Sequence, residues 1–169
     1  MGAGVKCVDE SIKIDIQYGG SFGDAAKGQT IAAAQYAAGA DIIFHASGGT
    51  GNGVFAAAKA ENETRNEADK VWVIGVDRDQ SAEGAYTSKD GKESNFVLAS
   101  TLKQVGAAVK DIATKADNGE FPGGEIVRYT LADKGVELAE TNLSDDAAKA
   151  VADAKQAILD GKIEVPEKP

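Results

Sequence analysis

DIIFHASGGTGNGVFAAAKAENETRNEADKVWVIGVDRDQ, residues 41–80, is the stretch that decides the fold. It holds two short apolar runs, Ile42-Ile43-Phe44 and residues 71–76, joined by a segment of helical spacing. The first run stops at His45-Ala46-Ser47-Gly48-Gly49-Thr50-Gly51 and the second at Asp77-Arg78-Asp79-Gln80. Short β-branched runs separated by a helix form neighbouring parallel strands with a right-handed crossover. In such open α/β sheets small molecules bind just outside the carboxyl ends of the strands, which puts both loops on the rim of one cleft.

Working outward, residues 11–18 alternate Ile12, Ile14, Ile16 and Tyr18 with polar residues, the period of a strand buried on one face. Gly19-Gly20-Ser21-Phe22-Gly23 breaks the run, Asp24 is placed to cap a helix through Ala38, and Gly39 supplies its stop. The spacing then predicts a strand at 41–45, a helix at 51–62 and a strand at 71–76. Residues 81–95 have no sustained period and read as an exposed excursion. Further expected elements are a strand at 96–99, a helix at 101–118, a strand at 126–131 and an irregular piece at 136–139. Ser144 is placed to cap a last helix ending at Gly161. The fold class is α/β, a parallel-sheet, Rossmann-like lobe.

The 169 residues suffice for a domain with a real core, and the net charge of −9 without clustered Lys and Arg argues against nucleic-acid partners. Apolar runs are far shorter than the roughly 20 residues of a membrane-spanning helix. Cys7 is the only cysteine and His45 the only histidine, so neither an internal disulfide nor a Cys- or His-rich metal site is expected. No cofactor is expected.

Asp77 is the strongest functional candidate. A carboxylate at the end of a buried strand accepts two hydrogen bonds from vicinal hydroxyls such as those of a ribose. Phe22, in the loop before a helix on the same edge, is placed to stack on a purine. His45 and Ser47 extend from the first strand towards the cleft, and the backbone N–H groups around Gly49 open a helix and can hold an oxygen or anion. Residues 51–56 also fit G-x-G-x-x-A, which leaves half of a dinucleotide-binding enzyme as an alternative; the glycines belong to a longer cluster and Asp77 lies too far downstream for that motif. Nothing resembles a nucleophile with its base, so a binding protein and not an enzyme is expected.

The segments YGGSFGDAAKGQTIAAAQYAAGAD, GADIIFHASGGTGNGVF, VWVIGVDRDQ and LASTLKQVG occur in the order found in the basic membrane protein family, which this chain resembles from about Val5 to its C-terminus. That family comprises nucleoside-binding lipoproteins that serve ABC-type importers. The resemblance implies one lobe of a type I periplasmic-binding-protein fold, a purine nucleoside (adenosine, guanosine or inosine) as ligand, and permease subunits as partners. It implies an extracytoplasmic, lipid-anchored parent of which this chain is a soluble C-terminal half without signal or anchor. Gly75-Val76-Asp77 matches the acidic residue that takes the ribose, and Lys103, in A-S-T-L-K, matches a family lysine that sits with Ser100 at the hinge. By the same resemblance, residues 5–95 and 124–165 form the ligand-binding lobe, and 96–123 form the hinge and a segment that packs in an N-terminal lobe. Self-association through 96–119 is expected where that lobe is absent. A sensor of the same fold remains a further alternative.

Overall fold

A computed structural model describes residues 2–166. Its main sheet has the order β1-β2-β5-β6, built from Ile42–Phe44 (β1), Trp72–Asp77 (β2), Val97–Lys103 (β5) and Val136–Glu140 (β6). The first three strands are parallel and β6 runs antiparallel to β5. A separate hairpin of Ala85–Thr87 (β3) and Glu93–Asn95 (β4) fills the connection from β2 to β5. The helices are Gly2–Val8 (α1), Ala25–Ala37 (α2), Gly51–Asn62 (α3), Val105–Asp117 (α4) and Asp145–Leu159 (α5).

Local chemistry sets the helix ends. The Asp24 carboxylate accepts from the Lys27 N–H at 2.9 Å and Gly39 turns the chain away at φ +96°, so α2 begins and stops where its sequence requires. Ser144 Oγ accepts from the Ala147 N–H in the same way at α5. The core lies between the sheet and the α2–α3 pair: Ala32, Tyr36, Val54, Phe55 and Ala58 meet Ile43, Val71, Val73 and Val97. Two of the polar side chains drawn into it, Asn62 and Tyr36, find partners. The fully buried Asn62 amide both donates to the Val71 carbonyl and accepts the Val71 N–H, and the Tyr36 hydroxyl donates to the Trp72 carbonyl at 3.1 Å. Burial pushes the Tyr36 phenol above its ordinary value, which keeps it a donor.

Several expectations are corrected, among them the helix expected from Thr101: residues 101–103 continue β5 beside β2 and β6, and α4 begins at Val105. Residues 11–18 are not a strand: they run without ladder partners and leave Ile12, Ile14, Ile16 and Tyr18 exposed, tied to α2 through Gln35 Nε2 on Asp15 Oδ2. Residues 126–131 are not a strand either, while 136–139, expected to be irregular, lie in β6, because the free edge of β5 offers them backbone partners. The excursion at 81–95 is the β3–β4 hairpin, and its Tyr86 is buried against Phe96.

The segment 96–123, expected to form the hinge and a part packed in another lobe, begins within the sheet. Phe96, Val97, Ala99 and Ser100 are buried, and β5 pairs with β2 along its length, so this strand belongs to the sheet described here. Standing off the core begins at α4, which has no buried residue and leaves Val105 63% and Val109 64% exposed. These two, four apart, share one helix face. Concentration-dependent association of this chain is the expected result in sedimentation velocity, reduced in Val105→Glu/Val109→Glu. Equal, concentration-independent sedimentation of the two chains would dismiss that face as an association surface.

Candidate functional site

Because β1, β2 and β5 are parallel, Phe44, Asp77 and Lys103 end on one edge of the sheet. A depression of about 280 Å³ lies there, lined by His45, Gly48, Gly49, Asn52, Val76, Asp77, Arg78 and Gln80. Asp77 sits at φ +70°, a left-handed conformation that few non-glycine residues adopt and that asparagine and aspartate tolerate best. Its Oδ1 is 2.7 Å from Lys103 Nζ, and both side chains are open to solvent. The carboxylate and the lysine singled out from sequence are thus brought together, with solvent-accessible surface left on each.

Phe22 is on the rim. It is 77% exposed, its carbonyl accepts the Thr50 N–H at 3.3 Å, and a Cβ on Gly48 would lie 3.5 Å from the ring carbon Cδ1. Thr50 secures this loop: its hydroxyl donates to the Ser21 carbonyl at 2.8 Å and accepts the Asp24 N–H at 2.9 Å. Gly48 needs its φ of +54° to turn the chain beneath the ring, and Gly49 is exposed in the same loop.

Other candidates fall elsewhere. Ser100 is wholly buried and its Oγ accepts the Gln80 N–H at 3.1 Å, so it braces the site from behind. Ser47 precedes the turn at Gly48 and does not line the depression. His45 is only 5% exposed: Nε2 is 3.0 Å from Gln80 Oε1, and Nδ1 is buried without a hydrogen-bond partner among the described residues. The ring packs edge-on to Phe55, and a Cβ on Gly51 would overlap it, which explains that glycine. The G-x-G-x-x-A residues lie within α3 and use their missing side chains for packing, unlike glycines that let a pyrophosphate approach. Asn52, in the first turn of α3, and Arg78, ion-paired with Glu83, were not singled out from sequence; their only signal was position on the two loops.

Burial, the largest influence, holds His45 below the ordinary imidazole range of 6.5, against smaller opposing effects from Gln80 and Asp77. A base whose folded pKa is depressed loses stability as pH falls: below 6.5 the unfolded chain takes up a proton that the folded chain refuses. As this is the only histidine, stability from pH 6.5 towards 5 should fall in the wild type and stay nearly level in His45→Gln. Urea midpoints across that range check it, and parallel slopes in the two proteins would refute it.

Residues 2–169 match the family model described as ABC transporter substrate-binding protein PnrA-like. The chain is 60% identical over 98% of its length to the ABC transporter nucleoside-binding protein BmpA of Lactococcus lactis subsp. cremoris, covering 47% of that protein. It is 51% identical over 99% of its length to the CD4+ T-cell-stimulating antigen of Listeria monocytogenes, again covering 47%. The chain thus spans about half the length of these relatives. In fold it is similar to an ABC-transporter solute-binding protein of Aeropyrum pernix K1, with a TM-score of 0.74 at 22% identity over 98% of this chain and 52% of the other.

Proposed function

Since the chain belongs to the PnrA-like family of ABC transporter substrate-binding proteins, we propose that it supplies one wall of a cleft that captures a purine nucleoside for an ABC-type permease. The observation that carries this reading is a solvent-accessible carboxylate, Asp77, lining an open depression at the strand ends, with an exposed aromatic, Phe22, packed against Gly48 of that lining. A stacking face and an acceptor for two vicinal hydroxyls are what a nucleoside requires. Lys103 beside Asp77 fixes the carboxylate and offers N–H donors to a ribose oxygen.

A depression of about 280 Å³ is smaller than most small-molecule sites and open on one side. The opposite wall belongs to a second lobe. Ligand is held by closure of the two lobes, with no bond made or broken. The whole receptor works outside the cytoplasmic membrane, held there by a lipid anchor. No helix among the described residues is long and apolar enough to cross a membrane.

Calorimetry of this chain and of the two-lobed receptor that carries it, against adenosine, guanosine, inosine, uridine, ribose and NAD, tests the proposal. Purine nucleosides should bind the receptor tightly and this chain weakly or not at all, because a half-site lacks the second stacking surface and the exclusion of water. Preference for NAD, or indifference to purine nucleosides, would defeat it.

A further inference from the structure

We propose that Gln80 is the positioning residue that holds the ribose-binding carboxylate of Asp77 in its working orientation, an inference that rests on the nucleoside reading of Asp77. The need for such a residue is visible in the backbone. The Arg78 N–H donates to the Val76 carbonyl at 2.8 Å across Asp77, whose φ is +70°. A three-residue turn with positive φ at its centre is rare and strained, and it persists only where its surroundings hold it.

Gln80 provides that hold. The β1–β2 ladder ends near Phe44 and Ile74, with a long last bond from the His45 N–H to the Ile74 carbonyl, and β1 then turns away. The Val76 N–H, left beyond the ladder, donates to Gln80 Oε1 at 2.9 Å. The same oxygen lies 3.0 Å from His45 Nε2. Since the Val76 N–H can only donate, the amide atom facing both groups is the oxygen, and Nε2 of the neutral ring carries its proton. Gln80 also donates its own N–H to Ser100 Oγ on β5.

One buried side chain and its backbone thereby tie together the ends of β1, β2 and β5 around the strained residue. Room for it exists only because residue 75 is glycine: a Cβ there would come within 2.9 Å of Gln80 Oε1 and 2.7 Å of Ser100 Oγ. Asp79 and Glu83 hold the outer loop through the Ser81 N–H and Arg78, and neither reaches the Val76 N–H.

The test is the affinity ratio of the two-lobed receptor for a purine nucleoside over its 2′,3′-dideoxy analogue, which isolates recognition of the diol. Gln80→Leu and the shorter Gln80→Asn should lower that ratio by about tenfold, less than the roughly thirtyfold expected of Asp77→Ala, because the acceptor is still present but no longer aimed. Gln80→Glu, which keeps an oxygen for the Val76 N–H, should retain the ratio; its loss there would assign Gln80 to direct contact through its amide nitrogen and overturn the proposal. Equal weakening of both ligands in Gln80→Leu and Gln80→Asn, or no change in either, would reduce Gln80 to general support and overturn it too. If Asp77→Ala leaves the ratio intact, the ribose reading itself fails. If Asp77→Ala abolishes it and the Gln80 variants do not, the positioning role alone falls. Should Gln80→Leu not fold, Gln80→Asn decides. In the present chain, amide exchange at Val76 and Arg78 should quicken about tenfold in Gln80→Asn, with the core amide of Val73 unchanged; unaltered exchange at all three would also count against the clamp.

Discussion

Asp77→Ala in the two-lobed receptor should weaken nucleoside binding by about 2 kcal/mol or more, roughly thirtyfold, while binding of the free purine base hardly changes. The expectation follows from chemistry and position together. The substitution removes a charged acceptor of two hydrogen bonds at the mouth of the cleft and leaves Lys103 without its 2.7 Å partner. Asp77→Asn, which suits the left-handed backbone as well, should fall between the two, since an amide oxygen accepts from one hydroxyl more weakly than a carboxylate. Titration calorimetry with the nucleoside and the base separates the effects. Wild-type affinity for the nucleoside in Asp77→Ala would remove the ribose assignment.

The largest effect on stability is expected at Gly53. A Cβ there would overlap the Ala25 carbonyl oxygen and the Gln29 amide nitrogen, both backbone atoms of α2, and one at Gly28 would overlap the Thr50 carbonyl oxygen. Helices α2 and α3 therefore touch through two glycines, and neither obstacle is a side chain that could rotate away. Gly53→Ala should cost about 3 kcal/mol, at the upper end for an overpacked contact. Gly106→Ala is the control. It lies in the exposed helix α4 with open space around it, and should stabilise by about 0.5 kcal/mol through helix propensity. Denaturant midpoints measure both, and a Gly53→Ala chain as stable as wild type would show that the helices do not meet as described.

Of the fold, what depends on local chemistry was legible. Asp24 and Ser144 cap the helices they were expected to cap, and Gly39 ends α2. The apolar runs at 42–44 and 71–76 became adjacent parallel strands because they are short, β-branched and separated by one helix. Of the site, Asp77 and Lys103 were legible as types in a motif, and their ends of β2 and β5 do meet. What periodicity misjudged was pairing. Alternation at 11–18 marks a face and the composition of 126–131 suits a strand, yet a strand exists only where a neighbour's N–H and C=O groups are free, and the edge of β5 went to residues 136–140 instead.

By itself, then, the sequence determined the elements whose causes are local, the order of strand and helix, and the edge on which polar side chains gather. Only the tertiary structure decided which of those side chains face the opening. His45 reads as a ligand group because it ends a strand and Ser100 because the resemblance places it at the hinge, but both are buried and bonded to Gln80. The physical reason is that a side chain's availability depends on which hydrogen bonds the fold has already given it, and those partners lie 35 and 20 residues away from it along the chain.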